Sequence, residues 1–386
     1  MNNIPYSRQD IDNDDISAVI KVLKSDFLTT GPVIEEFEES VKSFCSVKHA
    51  VAVSNGTAAL HLALLSLGVG KGDIVWTCPI SFVASANCAL YVGADIDFVD
   101  CDPLTGNMDI NLLIKKLEKA KLLGKLPKVI IAVHFSGMAC DIKMIAKLAQ
   151  LYDFKIVEDA AHALGAAYED GAKVGSGIYS DFTTLSFHPV KSITTGEGGM
   201  LVTENMELAD KARLLRTHGI SRDNNKMHND SHGPWYYEQL DLGFNYRITD
   251  IQSALGVSQM KRLPLFINRR QQIVSRYSNE LKNLPLILPK MSNDSAWHLY
   301  VIQLSNLAKI SRADLFNKLR QSGVGVNVHY IPIHTQPFYK NIGFKEGDFP
   351  NSELFYSRAI SLPVFQSMED AQQDYVIEKL QEFLRG

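Results

Sequence analysis

KVIIAVHFSGMACDIKMIAKLAQLYDFKIVEDA, residues 128–160, is the stretch of sequence that decides the fold. Two runs within it, KVIIAVHF (128–135) and FKIVEDA (154–160), are largely apolar, and the helical pattern IKMIAKLAQLY (142–152) lies between them. Continuous apolar runs are typical of parallel strands, because both faces of a parallel sheet are buried. The stretch therefore predicts a strand, a crossover helix and a second, parallel strand.

The same alternation continues towards the N-terminus. HAVAV (49–53), DIVWTCP (73–79) and DIDFVD (95–100) are predicted strands, and helical patterns over 57–68 and 81–93 separate them. Such alternation indicates an α/β fold with a mostly parallel sheet and helices on both faces. In these folds, ligands bind beyond the carboxyl ends of the strands, so the site residues are expected there.

The pattern changes after a helix that we predict over residues 248–263. It continues as a helix (267–284), a strand HLYVIQL (298–304), a helix (312–323), a strand VGVNVHY (324–330) and a terminal helix. We therefore predict a large domain over residues 1–263, with the segment 1–30 contributing to the site. The remaining residues, 264–386, are predicted to form a smaller C-terminal α+β domain.

Composition and charge exclude several classes of protein. The 386 residues are 46% hydrophobic and 21% charged, which is ordinary for a globular protein with a large core. A net charge of −4 gives no basic field for nucleic acid, and no apolar run reaches the roughly 18 residues that span a membrane. Five cysteines without C-x-x-C spacing favour free thiols, and the polar, acidic N-terminus is unlike a secretion signal. We expect a cytoplasmic protein.

Four segments near predicted strand ends carry candidate site residues. The first, SNGTAAL (54–60), turns from a strand into a helix at Gly56. The backbone N–H groups of Thr57 and Ala58 at the start of that helix would suit an anion such as phosphate. Taken alone, such a segment is more often a glycine turn with a threonine cap.

The second segment ends the predicted strand FKIVE with Asp159. A carboxylate at this place can pair with a protonated pyridine nitrogen and keep the ring an electron sink. An isolated aspartate is, however, more often a helix cap or a surface charge. His162 could stack on such a ring or bond near its phenolic oxygen, and the alternative is a simply packed histidine.

The third segment, TTLSFHPVKSITTGEGGM (183–200), contains Lys191 between a β-like run and a compact turn. A lysine that forms a Schiff base needs a partly desolvated amine with a lowered pKa, and these neighbours offer little solvated surface. Ser186 is a candidate phosphate ligand through its hydroxyl. The alternative is an ordinary surface lysine in a loop.

The fourth segment, GFNYRITD (243–250), offers the amide of Asn245 and the guanidinium of Arg247 just before a helix. Both donors suit a phosphate or a carboxylate, although a cap with a salt bridge fits the spacing equally well. The polar stretch 221–234 and its surroundings contain three histidines without regular ligand spacing, His218, His228 and His232. We predict a solvated loop there and no metal site.

Together these segments resemble the DegT/DnrJ/EryC1/StrS family of sugar aminotransferases. The resemblance covers nearly the whole chain, since six motifs occur in the family's order: SNGTAAL, PISFVASAN, VEDAAHALGA, SFHPVKSITTGEGG, GFNYRITDIQSALGVSQMKRL and VHYIPIH. It implies a PLP-dependent transferase of fold type I, with pyridoxal 5′-phosphate as the cofactor. It also implies a homodimer with active sites at the subunit interface.

The resemblance further implies a role for each candidate residue. Lys191 would be the catalytic lysine that forms the Schiff base, with Asp159 at the pyridine nitrogen. The other cofactor contacts would be Gly56, Thr57, Ala58, Phe82, His162, Ser186 and, from the neighbouring subunit, Asn245. The substrate contacts would be Tyr6, Asp26, Phe27, Leu28, Thr29, Gly56, Ser186, Asn245, Arg247, His329, Tyr330 and Ile331.

Within the family, the sequence is similar to the branch that makes the aminated precursor of pseudaminic acid. That branch has PISFVA and a histidine at the position of His162, where many members have glutamine. The similarity implies L-glutamate as the amino donor and UDP-2-acetamido-2,6-dideoxy-β-L-arabino-hex-4-ulose as the acceptor. Three alternatives stay open: another nucleotide keto-sugar (perosamine-type or 3-keto), a dehydratase with histidine in place of the lysine, which Lys191 argues against, and a non-catalytic regulator.

Overall fold

The computed structural model describes residues 3–385, and its largest unit is a seven-stranded sheet. The strands are β1 (His49–Val53), β2 (Ile74–Thr77), β3 (Asp95–Phe98), β4 (Val129–Val133), β5 (Lys155–Asp159), β6 (Phe182–Ser186) and β7 (Gly199–Thr203). Their order across the sheet is β1-β7-β6-β5-β4-β2-β3. All neighbours are parallel except β7, which runs antiparallel to both β1 and β6. The predicted mostly parallel sheet is confirmed.

Helices cover both faces of this sheet because its strands are apolar on both sides. In β4, Ile130 and Ala132 belong to one hydrophobic cluster, and Val129 and Ile131 belong to another. The helices of this part are α1 (Asn13–Leu23), α2 (Pro32–Cys45), α3 (Gly56–Ser66), α4 (Ala84–Tyr91), α5 (Ile110–Leu123), α6 (Ile142–Tyr152) and α7 (Met206–Arg216). Side chains of α2, α5 and α6 pack in the first cluster, and those of α3, α4 and α7 pack in the second.

Beyond α7 the chain forms a two-stranded ribbon, a long helix and a small antiparallel sheet with its own helices. The elements are β8 (Ile220–Ser221), β9 (Glu238–Gln239), α8 (Asp250–Leu281), β10 (Leu286–Ile287), β11 (Tyr300–Leu304), α9 (Arg312–Gln321), α10 (Pro337–Asn341), α11 (Pro350–Arg358), β12 (Ala359–Leu362) and α12 (Asp370–Arg385). The small sheet has the order β10-β11-β12. It confirms that an α+β region follows the parallel sheet.

The predicted strand VGVNVHY (324–330) is wrong as a regular strand. Val324 forms an isolated bridge to Ile4, and Asn327 forms another to Ser361. Val324 and Val326 are buried in the C-terminal hydrophobic cluster. The apolar residues that suggested a strand therefore reflect burial rather than sheet pairing.

α8 is a single helix of 32 residues that continues through Pro264. The sequence predicted two helices here, over residues 248–263 and 267–284. An interior proline removes a hydrogen bond and costs a helix about 3 kcal/mol. Packing on both sides offsets this cost: Leu263 and Phe266 are buried in the large sheet's cluster, and Ile273 and Tyr277 in the C-terminal cluster. The proposed domain division between residues 263 and 264 therefore falls inside one continuous helix.

Arg262 of α8 holds the N-terminal segment against the body of the protein. Its guanidinium forms ion pairs with Asp10 at 2.9 Å and Asp12 at 3.1 Å, and with Asp15, whose side chain is fully buried. The Gln259 amide also donates to Asp15, at 2.6 Å. The Asp12 backbone N–H donates to the same carboxylate at 3.1 Å, and Arg262 is the cation among its three donors. Since burial has removed Asp15 from water, its charge depends on these donors.

Replacing Arg262 by methionine is expected to lower the free energy of unfolding by about 3 kcal/mol, because a buried carboxylate loses its cationic partner. Urea titration of the purified protein measures this change. Arg276→Met on the same helix is the matched control, since the exposed pair between Arg276 and Asp374 should contribute less than about 1 kcal/mol. Equal losses in the two variants would contradict the role given to Arg262.

The sequence predicted neither a membrane-spanning helix nor a metal site. Across residues 3–385, no helix is both long enough and apolar enough to cross a membrane. Over the same range, no group of three or more His, Cys, Asp or Glu side chains is arranged to hold a metal ion.

Candidate active site

A cavity of about 770 Å³ lies at the carboxyl ends of β5 and β6. It is bounded by the start of α3, the segment before α4, the loop after β6 and the C-terminal segment 327–330. The predicted site residues that line it are Tyr6, Gly56, Thr57, Ala58, Phe82, Asp159, His162, Ser186, Lys191, His329 and Tyr330. The fold thus brings most of the predicted residues into one site.

The N-terminus of α3 forms one part of the cavity wall. The helix begins at Gly56, and the Asn55 side chain caps it by accepting a hydrogen bond from the Ala58 N–H at 2.8 Å. The Ala58 N–H, which was predicted to bind an anion, is therefore already bonded to the cap. The N–H groups of Gly56 and Thr57 remain for an anion. A Cβ on Gly56 would lie 3.0 Å from the Ser186 Cβ, so glycine permits this close approach. A helix N-terminus beside a serine hydroxyl suits a phosphate.

Asp159, the last residue of β5, lines the cavity while two protein donors fix its carboxylate. The Ala161 backbone N–H donates to Oδ1 at 3.1 Å, and the Ser85 hydroxyl donates to Oδ2 at 2.6 Å. Only 7% of the residue's surface is exposed. A buried carboxylate held in this way is suited to pair with a cationic N–H group in the cavity.

Lys191 lies in the irregular segment after β6, where its backbone N–H donates to the His188 carbonyl at 2.8 Å. Desolvation lowers the pKa of Lys191 to about 8, although the charge of Asp159 acts in the opposite direction. Roughly one molecule in ten therefore carries the neutral amine at pH 7, far more than for an ordinary lysine. A partly neutral amine in a sheltered place can act as a nucleophile and as a base.

His162 connects the sheet with the C-terminal side of the cavity. Its Nδ1 accepts the Ser136 backbone N–H at 3.3 Å, and its Nε2 lies 3.2 Å from the Tyr330 hydroxyl. Burial, together with the nearby charge of Lys191, holds the pKa of His162 well below its usual value, so the ring is neutral. Because Nδ1 accepts, the ring proton is on Nε2 and is donated to the tyrosine oxygen. The tyrosine O–H is then left for another acceptor.

Three further predicted residues surround Tyr330 with rings. The centre of the largely exposed Phe82 ring lies 6.3 Å from the centre of the Tyr330 ring. The centre of the His329 ring lies 4.8 Å from that of Tyr330. Tyr6 packs against His329 at 5.7 Å. Burial lowers the pKa of His329 to about 3, so this ring is neutral too. The result is an uncharged aromatic wall against which a flat ring or a sugar can pack.

The other predicted residues do not line the cavity of their own chain: Asp26, Phe27, Leu28, Thr29, Asn245, Arg247 and Ile331. The segment 26–29 is exposed and is held at the start of α8, where the Asp250 N–H donates to the Leu28 carbonyl at 3.1 Å. Asn245 is exposed as well. The contacts predicted for these residues stay predictions, and those of Asn245 would be made across an interface.

Several residues that line the cavity were not predicted from the sequence. They include Asn55, Ser81, Tyr91, Glu197 and Tyr246. Two of them had a local signal: asparagine before a helix start is a preferred cap, and Ser81 is four positions before Ser85, a helical spacing. The two tyrosines reach the cavity through tertiary packing, which no local pattern indicates.

The arrangement fits a phosphorylated pyridine aldehyde. The start of α3 with Ser186 suits a phosphate, Asp159 suits a protonated ring nitrogen, and the Lys191 amine can join an aldehyde carbon. Together with the mostly parallel sheet that carries these groups at the carboxyl ends of its strands, this site places the protein in the class of pyridoxal-phosphate-dependent transferases.

Comparison with known sequences makes the assignment more specific. The chain belongs to the DegT/DnrJ/EryC1/StrS aminotransferase family, whose model matches residues 9–381. It is therefore a sugar aminotransferase that depends on pyridoxal 5′-phosphate, and the resemblance predicted from the motifs is confirmed.

Two relatives show how far the similarity extends. The spore coat polysaccharide biosynthesis protein SpsC of Bacillus subtilis is 40% identical over 389 residues, which cover 99% of this chain and 97% of SpsC. The UDP-4-amino-4,6-dideoxy-N-acetyl-β-L-altrosamine transaminase of Campylobacter jejuni is 40% identical over 370 residues, which cover 95% of this chain and 93% of the transaminase.

Solved structures agree in fold and cofactor. Helicobacter pylori PseC, an aminotransferase involved in the biosynthesis of pseudoaminic acid, has a TM-score of 0.90 and 30% identity, with 100% of each chain covered. The PLP form of the sugar aminotransferase Spr1654 from Streptococcus pneumoniae has a TM-score of 0.88 and 30% identity, with 99% of each chain covered. The predictions of an aminotransferase fold and of pyridoxal phosphate as the cofactor are confirmed.

Proposed function

We propose that this aminotransferase moves an amino group from L-glutamate to C4 of a UDP-linked 4-keto-6-deoxy-N-acetylhexosamine. The acceptor would be UDP-2-acetamido-2,6-dideoxy-β-L-arabino-hex-4-ulose, and the reaction would belong to pseudaminic acid biosynthesis. One observation carries the chemistry: Lys191 and Asp159 share a cavity with the phosphate-compatible start of α3. The similarity to the Campylobacter altrosamine transaminase and to Helicobacter PseC supports the choice of sugar.

The cofactor contacts follow from the geometry of the cavity. Pyridoxal 5′-phosphate supplies an aldehyde that exchanges amino groups and a ring that withdraws electrons from the carbon losing its proton. We assign its phosphate to the N–H groups of Gly56 and Thr57 and to the Ser186 hydroxyl. Asp159 would accept the hydrogen bond of the protonated ring nitrogen, and Phe82 would contact the ring.

Lys191 has two tasks in this proposal. Its Nζ would hold the cofactor between turnovers, and, once an amino substrate has displaced it, the free amine would take the proton from the Cα of glutamate. Both tasks require the neutral amine, which the lowered pKa of about 8 makes accessible near neutral pH. In the second half-reaction the same amine returns a proton to C4 of the sugar.

The sugar side of the cavity is assigned to the C-terminal segment. Tyr330 can donate its hydroxyl hydrogen, because His162 already donates to its oxygen, and His329 beside it is neutral. Neutral polar groups and rings suit a sugar, whereas a fixed charge would suit a carboxylate instead. A volume of about 770 Å³ lies in the usual range of ligand cavities, and glutamate and the sugar would occupy it in turn.

We also propose a homodimer in which each site takes residues from both chains. Phe27 and Leu28 expose about half of their apolar surface, and Asn245 is exposed close to the cofactor end of its own chain's site, next to Tyr246. A second copy would cover these side chains and give them the contacts predicted for them. The five cysteines are free and buried, which supports a reducing, cytoplasmic location.

Covalent capture of pyridoxal phosphate by the apo-protein is expected to become faster as the pH rises from 7 through 8, and to level off above about pH 9. Only the neutral Lys191 amine reacts, and its fraction rises through a pKa of about 8. Between pH 7 and pH 9 the rate should increase about tenfold. Rapid mixing with visible absorbance measures it. A rate that still rises steeply above pH 9 would show that Lys191 has an ordinary pKa.

Incubation of the holoenzyme with L-glutamate and the UDP-4-keto sugar, followed by NMR of the product, tests the proposed reaction. The expected product carries its new amino group at C4, as in UDP-4-amino-4,6-dideoxy-N-acetyl-β-L-altrosamine. Parallel incubations use a perosamine-type 4-keto sugar and a 3-keto sugar. Turnover of one of these alone would contradict the proposed acceptor and assign another nucleotide keto-sugar to the enzyme.

A further inference from the structure

Two buried serines form a hydrogen-bonded chain that ends on Asp159. The Ser85 hydroxyl lies 2.6 Å from Asp159 Oδ2, and the Ser81 hydroxyl lies 2.6 Å from the Ser85 hydroxyl. Ser85 is fully buried in the first turn of α4, whereas Ser81 lines the cavity. Neither serine has a place in the cofactor and substrate contacts assigned above.

The charge of Asp159 determines the direction of both hydrogen bonds. An ionised carboxylate can only accept, so the hydrogen of Ser85 points to Asp159. A hydroxyl has one hydrogen, and the hydrogen between the two serines therefore belongs to Ser81. Each donation polarises the next one, and bonds to a charged acceptor are the strong ones.

The chain also fixes how Asp159 is oriented. Oδ2 is held by Ser85 and Oδ1 by the Ala161 backbone N–H, so rotation of the carboxylate would break at least one bond. Both donors come from the protein and both are neutral. They stabilise the charged form of Asp159 without bringing in a competing cation.

We propose that Ser85 and Ser81 are positioning residues that keep Asp159 ionised and oriented, so that the ring nitrogen of the cofactor retains its proton. This inference rests on the proposed role of Asp159. Without the Ser85 hydroxyl, Oδ2 loses its donor and the carboxylate is no longer held towards the ring nitrogen, which then keeps its proton less readily. The ring then withdraws fewer electrons, and the Lys191 nitrogen that is joined to the cofactor becomes more basic.

The test is a pH titration of the visible absorbance of cofactor bound at Lys191, in the full-length protein loaded with pyridoxal phosphate. In Ser85→Ala the midpoint is expected to rise by about one pH unit, since a hydrogen bond to a charged group corresponds to one unit or more. Ser85→Cys has nearly the same size and a weaker donor, so its midpoint should fall between those of Ser85→Ala and the parent protein. Ser81→Ala should show a smaller rise in the same direction.

Ser253→Ala is the matched control, because Ser253 is also a fully buried helical serine and its hydroxyl has no partner among the described residues. Its midpoint should not move. An unchanged midpoint in Ser85→Ala, with cofactor still bound, overturns the inference. If Ser85→Ala does not fold, unchanged midpoints in both Ser81→Ala and Ser85→Cys overturn it. A parent protein that binds no cofactor at Lys191 would instead refute the proposed function.

Discussion

Lys191→Ala is expected to lower kcat by about 10⁴-fold and to remove the visible absorbance of covalently bound cofactor. The variant lacks both the amine that joins the aldehyde and the base that moves the substrate proton. The lowered pKa of about 8 makes this amine the suitable base near neutral pH. Turnover with L-glutamate and the keto-sugar, together with the absorbance spectrum, measures both losses.

Two variants separate the chemistry of Lys191 from its charge and from general damage. Lys191→Arg keeps a cation that does not deprotonate, so it should be as inactive as the alanine variant. Lys155→Ala removes an exposed lysine at the first position of β5, whose ion pair with Asp181 is partly exposed. This variant should keep nearly full activity. Retained absorbance and turnover in Lys191→Ala would refute the assignment of this residue.

Asp159→Asn is expected to lower kcat by about 10²- to 10³-fold, because a neutral amide cannot balance a protonated ring nitrogen. The asparagine oxygen can still accept from Ser85, so the fold of this region should persist. Loss of the negative charge also removes the attraction that opposes desolvation of Lys191, so the pKa of Lys191 should fall further. Steady-state kinetics and the pH dependence of cofactor capture measure these two effects.

Asp141→Asn serves as the control for Asp159→Asn. Asp141 caps α6 outside the cavity by accepting the Met144 N–H at 3.1 Å, and asparagine caps a helix equally well. Its activity should therefore be unchanged. Activity of Asp159→Asn within a few-fold of the parent protein would show that the ring nitrogen needs no carboxylate in this enzyme.

The strands and helices in the first half of the large sheet were predictable because each strand is short and apolar and a clear helical pattern follows it. KIVED and VIIAV became β5 and β4 as expected, with Val133 paired to Asp159 at their carboxyl ends. β7 was not predicted. Its direction could not be predicted from its residues either, since a strand buried on both faces has the same composition whether it runs parallel or antiparallel. Its direction is set by the tight return after Lys191 rather than by its own residues.

The errors in the C-terminal part have a common physical cause. Pro264 is unfavourable inside a helix, yet packing of α8 against two clusters outweighs the local cost. The valines near Val324 favour a strand locally, yet the fold uses them as core side chains. In both places long-range packing decided the backbone, and local propensity is a weak guide when that happens.

The predicted residues whose type the chemistry demands lie together in the structure, while their roles stay predictions. A lysine, an acid and a glycine turn at strand ends were identifiable, and Lys191, Asp159 and Gly56 do line one cavity. Residues that act through another residue were missed. Ser85 does not touch the cavity at all, and its importance appears only when the hydrogen bond to Asp159 is seen.

The edge position of β1 has a consequence for biogenesis. Val53 pairs with Gly199 of β7, so β1, which leads into the turn at Gly56, has no neighbouring strand until the ribosome has made the chain up to β7. At roughly 5–20 residues per second, that wait is on the order of ten to thirty seconds. Contacts between such distant positions also form slowly. We therefore expect nascent chains that stop before residue 199 to retain no vitamin B6, and the pocket to be among the last parts of the sheet to mature.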